Sequence, residues 1–163
     1  ISDMFGMPDG DSVIQLPWNK EMAWVASDLY MDGKPVEASP RIALKRQIEK
    51  ASKKGLYMKS GVECEFFLVN QDGTALSDDR DTQEKPCYDS SALMRRYDVI
   101  TEICDSMIAL GWKPYQNDHE DANGQFEMNW DFSDCLVTAD RHAFFKFMTK
   151  TIAWSRIVLT TRK

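Results

Sequence analysis

Four glutamates stand at spacings that can bring carboxylates together, and grouped carboxylates can bind divalent cations. Glu63 and Glu65 lie in an apolar segment, and residues two apart on a β-strand point to the same face. Glu120 and Glu127 are separated by an Asn-Gly pair at 123–124, which is typical of a tight turn that would bring them near each other. Like charges so placed raise each other's pKa unless a cation such as Mg²⁺ neutralises them.

Spacing alone leaves a second interpretation open, in which these glutamates only form a solvated face. Glu-x-Glu on a strand is common on exposed surfaces, and short motifs of this kind produce many false matches. His119, beside Glu120, is by itself more often an ordinary polar residue than a ligand. The apolar residues that alternate with the second pair are predicted to be core; they are Phe126, Met128, Trp130 and Phe132.

The elements that must position these residues follow an α+β pattern. Apolar alternation and turn residues predict strands at 22–30, 62–69, 112–118 and 124–132. Apolar residues at three–four spacing predict helices at 39–55, at 93–111 and from about 133 to the mid-150s. The strand at 124–132 alternates strictly, which predicts a half-buried strand with one polar face. We expect a largely antiparallel sheet covered by helices, with a long surface loop at 71–90.

The predicted helices carry specific expectations about caps and buried faces. Ser39 is expected to cap the first helix, with Pro40 at its first position. The buried face of the second helix is predicted to contain Leu93, Tyr97, Ile100, Cys104, Met107 and Ile108. The buried face of the third is predicted to contain Leu136, Ala139, Ala143, Phe147 and Ile152.

Composition excludes several classes of function. The formal net charge of −6 argues against nucleic-acid binding, and no apolar run is long enough to span a membrane. The four cysteines form no C-x-x-C pair, which argues against structural zinc, and two of them at apolar positions suggest a reducing, cytoplasmic compartment. The chain begins with Ile1 and stops at Lys163 without an evident end, so we expect both ends to be cut.

Two sequence motifs resemble motifs of the glutamine synthetases. Residues 61–68 read Gly-Val-Glu-Cys-Glu-Phe-Phe-Leu, and residues 119–127 read His-Glu-Asp-Ala-Asn-Gly-Gln-Phe-Glu. The resemblance to this family continues through residues 134–153. Residues 2–18 resemble the end of the family's small N-terminal domain. The phrases at 85–89 and 118–127 resemble the type III glutamate–ammonia ligases, some of which make γ-glutamylmethylamide.

The resemblance implies a fold and an activity. Residues 1–30 would be the end of an N-terminal β-grasp domain, and 31–163 the truncated first part of the catalytic domain. The activity would be ATP-dependent synthesis of glutamine from glutamate and ammonia through γ-glutamyl phosphate. Two alternatives are methylamine as the amine substrate, and a non-catalytic structural relative.

The resemblance also implies roles for individual residues. Two divalent ions, Mg²⁺ or Mn²⁺, would be held, one by Glu63 and the other by Glu65, Glu120 and Glu127. His119 would be a neighbour that orients these ligands. Where many members carry a glutamate near ATP, this chain has Tyr115, so no nucleotide contact is assigned there.

The same resemblance limits what this chain can do alone. The family's later histidine and glutamate ligands and its phosphate-binding arginines lie beyond Lys163, and a loop that completes a neighbouring subunit's site lies before Ile1. We therefore expect the fragment alone to be inactive, and the full-length parent to form a homo-oligomeric ring.

Overall fold

A computed structural model describes residues 3–156 and 159–161, which divide into two compact units. The first unit consists of described residues up to Ser60 together with Phe132–Arg141, and the second of Gly61–Asp131 together with described residues from His142 onward. The expectation of cut ends rests on residues outside the described ranges, namely Ile1, Ser2, Arg162 and Lys163.

Short antiparallel strands and four α-helices make up both units. The strands are β1 (Met4–Pro8), β2 (Ile14–Leu16), β3 (Asn19–Trp24), β4 (Ser27–Met31), β5 (Lys34–Pro35), β6 (Lys59–Ser60), β7 (Glu63–Val69), β8 (Pro114–His119), β9 (Gln125–Trp130), β10 (Ser133–Asp134) and β11 (Leu159–Thr161). The helices are α1 (Pro40–Ser52), α2 (Ser90–Arg95), α3 (Tyr97–Ala109) and α4 (Cys135–Ser155). The prediction of an α+β chain with antiparallel sheets covered by helices is confirmed.

In the first unit, β1, β4 and β5 form a three-stranded sheet, and β2 pairs with β3. The single strand predicted at 22–30 is wrong, because β3 and β4 separate at Val25 and Ala26. The backbone of Ala26 bonds instead to a short 3₁₀ turn, accepting from Asp9 N at 2.9 Å and donating to Ser12 Oγ at 2.9 Å. These two contacts give residue 26 partners outside the strand ladder.

Helix α1 begins where Pro40 predicts, since proline needs no donor at the first helical position. Ser39 occupies the N-cap position as predicted, although its side chain makes no cap hydrogen bond. Gly55, with φ +73°, lies in the turn after the helix.

A group of paired charges, the arginine cluster, ties this unit together; its members are Asp9, Asp28, Arg41, Lys45 and Asp140. Arg41 of α1 donates to Asp28 at 2.6 Å, to Asp9 at 2.7 Å and to Asp140 at 3.0 Å. Lys45 lies one turn further along α1 and donates to Asp28 at 2.6 Å. One helix thereby holds three separate segments of the chain.

The second unit contains a four-stranded antiparallel sheet in the order β11-β7-β9-β8. Its apolar face packs on α4 through aromatic side chains: Phe66 lies 6.1 Å from Phe145 and Trp130 lies 5.2 Å from Phe145, measured between ring centroids. Phe126, Met128 and Trp130 are buried as predicted, whereas Phe132 is 66% exposed because β9 ends before it.

Strand β9 is buried on both faces, so the predicted half-buried strand is wrong. Gln125, Glu127 and Asn129 form its polar face, yet each is less than 10% exposed. Strand β9 lies between β7 and β8, so side chains of both neighbouring strands flank its polar face, as Glu65 and Asp118 flank Glu127.

The helix predicted at 93–111 is two helices, α2 and α3, which meet at Arg96. Arg96 has non-helical backbone angles of φ −119° and ψ 18°, and its guanidinium donates to Ser77 Oγ and to the Ser77 carbonyl. The buried face shifts accordingly: Ile100 and Met107 are buried as predicted, but Tyr97 and Ile108 are exposed, and Val99 and Ile103 are buried instead.

The predicted buried face of the third helix is largely wrong. Of the predicted residues Ile152 is buried, whereas Ala139, Ala143 and Phe147 are exposed. The helix buries a different stripe, which includes Phe144, Phe145, Met148, Ile152 and Ala153. Apolar residues occur on several sides of α4, so their spacing alone did not identify which side is buried.

Two further structural facts bear on composition. Cys64 and Cys135 are buried, and all four cysteines are unpaired with one another. No helix among the described residues has the length and apolar character needed to cross a membrane.

Candidate metal centre

The glutamate cluster, defined as Glu63, Glu65, Glu120 and Glu127, is arranged around β7, β8 and β9. In the antiparallel register of β7 and β9, Glu65 lies directly opposite Glu127, and Glu63 lies opposite Asn129. Residues that are direct cross-strand partners point to the same face of a sheet. Cys64 points the other way and is buried, as the strand alternation predicts.

Glu120 is brought to the same region by the turn between β8 and β9. Its backbone N donates to Gln125 O at 2.9 Å, which closes the turn. Gly124 in this turn has φ +72°, and a Cβ there would lie 2.6 Å from Leu76 Cδ2. Only glycine fits both constraints without rearrangement. The turn predicted at 123–124 is therefore observed and closely packed.

The electrostatics of Glu127 reflect this crowding. Burial raises the pKa of the Glu127 carboxyl above 4.5, and the nearby Glu120 and Glu63 raise it further. A hydrogen bond from Asn129 acts in the opposite direction and favours the charged form. Within the described ranges, no lysine, arginine or histidine forms an ion pair with Glu63, Glu120 or Glu127.

Glu65 is held by Gln125, which is fully buried at the start of β9. Gln125 Nε2 donates to Glu65 Oε2, and Gln125 Oε1 accepts from Ala122 N at 3.1 Å. The side chain of Gln125 therefore fixes Glu65 relative to the β8–β9 turn. The sequence predicted that Gln125 lies on the polar face of the strand. Its contact with Glu65 could not be predicted, because it forms between two strands that are distant in sequence.

His119 faces the long loop that precedes α2. Its Nε2 lies 2.7 Å from Asp81 Oδ2, and its Nδ1 lies 3.0 Å from the Pro86 carbonyl oxygen. The imidazole is 1% exposed and packs edge-on against Phe126, with ring centroids 5.3 Å apart. Both ring nitrogens are thus engaged away from the glutamate cluster.

The carboxylates of Glu120 and Glu127 lie within hydrogen-bonding reach, but the cluster is not uniformly tight. In the described part of the chain, one group of three metal-ligand atoms lies within 4.8 Å of one another, and it consists of Cys87, Glu120 and Asp121. Glu65, Glu120 and Glu127, which are predicted to share one ion, do not form such a group. With Glu65 held by Gln125, movement of that side chain would be needed for all three to bind one ion.

The donor atoms fit a hard divalent cation such as Mg²⁺ or Mn²⁺. Such ions prefer carboxylate and amide oxygens, which are the polar groups this face offers. Among the described residues, Asn129 Oδ1 is one of the buried side-chain oxygens without a hydrogen-bond partner, and Asn129 lies opposite Glu63 and beside Glu127. A buried acceptor without a donor is costly, which a bound cation or water would relieve.

Sequence reasoning missed three residues near this centre. Asp81 and Cys87 come from the loop at 71–90, which has no periodicity to follow, and Asn129 was assigned only to a polar face. Burial and proximity to Asp121 and Glu120 raise the pKa of the Cys87 thiol. A loop residue that contacts a distant strand has no periodic spacing that would identify it. Only its side-chain type, a carboxylate or a thiol, could have marked it as a candidate ligand.

The chain matches a known family over most of its length. The profile of the glutamine synthetase catalytic domain matches residues 37–161. The chain is 65% identical over 151 residues to a glutamine synthetase of Rhizobium leguminosarum bv. phaseoli, covering 93% of this chain and 35% of the relative. It is 38% identical over 154 residues to a glutamate–methylamine ligase of Methyloversatilis universalis, with the same coverage.

Solved structures with the same fold also match the chain. A structure of a GmaS/ADP complex superposes with a TM-score of 0.95 at 58% identity, covering 98% of this chain and 37% of that one. The chain thus spans little more than a third of the length of the relatives it matches. From the profile match and these identities, the chain belongs to the glutamine synthetase family, and residues 37–161 are part of its catalytic domain.

Proposed function

We propose that the full-length parent of this chain is an ATP-dependent ligase that makes glutamine from glutamate and ammonia. In this proposal the glutamate cluster holds two divalent ions, with Glu63 at one ion and Glu65, Glu120 and Glu127 at the other. The activated intermediate is γ-glutamyl phosphate, in which the γ-carboxylate of glutamate has taken the terminal phosphoryl group of ATP. Ammonia then displaces the phosphate to give the amide.

One observation carries the proposal. Glu127 is buried opposite Glu65 and within reach of Glu120, its pKa is raised, and no described cation is paired with it. A protein retains such an arrangement at a cost in stability, and carboxyl groups with perturbed pKa values concentrate at functional sites. The relatives, a glutamine synthetase and a glutamate–methylamine ligase, support the same chemistry.

The residues of this chain supply binding and orientation. Asn129 donates to Glu127 and favours its charged form, and Gln125 holds Glu65 near the β8–β9 turn. The turn at Gly124 keeps Glu120 against Glu127. Divalent ions bound to these carboxylates would offset charge on the phosphate groups of ATP.

The remaining parts of the parent are also proposals. We place the end of an N-terminal β-grasp domain at 1–30 and the start of the catalytic domain at 31, with the rest of the substrate site and the oligomeric contacts elsewhere in the parent. ATP, glutamate and an amine are its substrates, and the parent assembles as a homo-oligomer. His119 supports the ligands indirectly.

A pair of neighbouring variants tests the proposed function in the parent protein. Glu127→Ala should abolish phosphate release that depends on ATP, glutamate and ammonia, because it removes one ligand carboxylate without opening an apolar cavity. Met128→Ala removes a fully buried side chain from the opposite face, so it should cost about 2–5 kcal/mol of stability and reduce turnover through unfolding. Near-normal turnover of Glu127→Ala at saturating Mg²⁺ and Mn²⁺ would contradict the assignment, and a wild-type parent without any ligase activity would indicate a non-catalytic relative.

Methylamine is a second candidate substrate, because two relatives favour it. The glutamate–methylamine ligase is 38% identical, and the GmaS structures reach 58% identity. Measuring kcat/KM for ammonia and methylamine with the same preparation decides between them. A ratio that favours methylamine would assign the parent to γ-glutamylmethylamide synthesis while leaving the proposed metal site unchanged.

A further inference from the structure

The loop between β7 and α2 is fastened to the β8–β9 turn at several points. Asp81 Oδ2 accepts from Gly124 N at 2.5 Å and contacts His119 Nε2 at 2.7 Å. Tyr88 N donates to His119 O at 2.8 Å, and Asn123 Nδ2 donates to Gln83 O at 3.1 Å. These contacts enclose the segment 119–124, which carries Glu120 and leads to Glu127.

The central contact of this set involves a buried charged group. Asp81 is 3% exposed and His119 is 1% exposed. The Pro86 carbonyl can only accept, so His119 Nδ1 carries a hydrogen and donates to it. A proton must then lie between Nε2 and Asp81 Oδ2, on one atom or the other, for that contact to be a hydrogen bond. Asp81 Oδ2 thus bonds the histidine and the Gly124 amide with a single oxygen.

We propose that Asp81 is a positioning residue for the glutamate cluster, acting through His119 and the Gly124 amide to set where Glu120 stands relative to Glu127. This inference rests on the proposed metal-binding function. His119 directly precedes Glu120, and Gly124 lies three residues before Glu127. Asp81 Oδ2 therefore contacts both ends of the β8–β9 turn. Groups that orient metal ligands from outside typically change metal affinity 10–100-fold when they are altered.

Asp81→Asn is a suitable variant because it preserves the size of the side chain. An amide has either an oxygen or an NH₂ at the position of Oδ2. The NH₂ would face the Gly124 N–H, and the oxygen would leave His119 without its carboxylate. Either orientation weakens one arm of the contact while all four glutamates remain in place.

Asp78 offers a matched control from the same loop. It is 6% exposed, accepts from Arg80 N at 3.2 Å and pairs with Arg95 of α2. Within the described residues, its carboxylate bonds neither His119 nor Gly124. Asp78→Asn therefore disturbs the loop and removes a buried charge without touching the β8–β9 turn. It separates loss of stability from loss of positioning.

The experiment measures Mn²⁺ binding to the full-length parent by the electron paramagnetic resonance signal of free Mn²⁺, beside the melting temperature in EDTA. We expect Asp81→Asn to raise the Mn²⁺ dissociation constant about 10-fold or more, and excess Mn²⁺ to restore occupancy because the ligands are intact. Asp78→Asn should lower the melting temperature yet bind Mn²⁺ like the wild type. If Asp81→Asn does not fold, His119→Gln removes the same contact from its other side and is expected to weaken Mn²⁺ binding equally.

The outcomes separate this inference from the proposed function. A wild-type parent that binds no Mn²⁺, or one unaffected by Glu127→Ala, would overturn the proposed metal site and this inference with it. A wild-type parent that loses Mn²⁺ in Glu127→Ala, but binds it normally in Asp81→Asn, would overturn the positioning role alone. Equal weakening in Asp78→Asn and Asp81→Asn would also overturn it, because loop stability would then be the cause.

Discussion

Arg41 in the first unit is surrounded by three aspartates, whereas the glutamate cluster in the second unit has no described cation paired with Glu63, Glu120 or Glu127. In the arginine cluster, the hydrogen bond from Arg41 lowers the pKa of Asp9. Burial would raise the pKa of Asp28, but Lys45 and Arg41 lower it below its usual value. In the glutamate cluster, burial and neighbouring carboxyls raise the pKa of Glu127.

The difference separates a structural use of buried carboxylates from the proposed use of buried carboxylates in binding metal ions. The arginine cluster contains its own counter-charges, so its carboxylates stabilise the fold as they stand. Among the described residues, Glu63, Glu120 and Glu127 have no such counter-charge, so their charge is a cost to the folded state that a bound cation would offset. A buried carboxylate is therefore informative about function only after its partners are known.

Of the charge variants that test this comparison, removal of Arg41 should have the largest effect on stability. We expect Arg41→Ala to destabilise the protein by about 3 kcal/mol, because it leaves Asp9 and Asp140 without their main partner and Asp28 with Lys45 alone. Differential scanning calorimetry of the parent measures the change. Lys53→Ala is the control, since Lys53 pairs with Glu49 at 2.6 Å but both side chains are more than 60% exposed, and it should cause no measurable change. Equal effects of the two variants would mean that the arginine cluster does not stabilise the fold.

Neutralising a carboxylate of the glutamate cluster should act in the opposite direction. We expect Glu127→Gln to raise the melting temperature in EDTA by about 2–4 °C, the shift that corresponds to 1 kcal/mol in a domain of 150–250 residues. The same variant should lose Mn²⁺ affinity. Glu84→Gln, at an exposed loop position, should change neither quantity. A lower melting temperature for Glu127→Gln in EDTA would show that its charge is already compensated in the folded protein.

Acidification should distinguish the two clusters by the sign of its effect. The folded-state pKa values of Asp9 and Asp28 lie below 3.8, so their contribution is present above 3.8 and is lost as the pH falls below it. The folded-state pKa of Glu127 lies above 4.5, so its unfavourable charge develops as the pH rises above 4.5. Melting temperatures in EDTA from pH 7 to pH 3 test this. The destabilisation by Arg41→Ala should persist to about pH 4 and shrink below it, whereas the gain from Glu127→Gln should disappear as the pH falls towards 4.5.

Local rules predicted the parts of the site that depend on neighbouring residues. Alternation along a strand placed Glu63 and Glu65 on one face, and the Asn-Gly pair at 123–124 predicted the turn between β8 and β9. Helix α1 began at Pro40 for the same local reason. The antiparallel sheet also followed from the order and length of the predicted elements.

Rules of the same kind failed where a distant contact decided the outcome. The predicted second helix breaks at Arg96, whose side chain bonds Ser77, and the predicted strand at 22–30 breaks where Ala26 bonds a turn near Asp9. The stripe that α4 buries was missed because apolar residues lie on several of its sides. The spacing of residues within these segments carries no information about the distant residue that interrupts the predicted element.

By itself, the sequence determined the family, the antiparallel class and the strand face on which Glu63 and Glu65 stand, because these depend on motifs and on a two-residue repeat. Only the tertiary structure decided that β9 is a central strand with its polar face buried, so that Glu127 is enclosed. It also decided that His119 bonds Asp81 and that Arg41 binds Asp140, 38 and 99 residues apart in the chain. Burial and charge pairing are properties of the assembled fold, because each depends on which distant segments pack together.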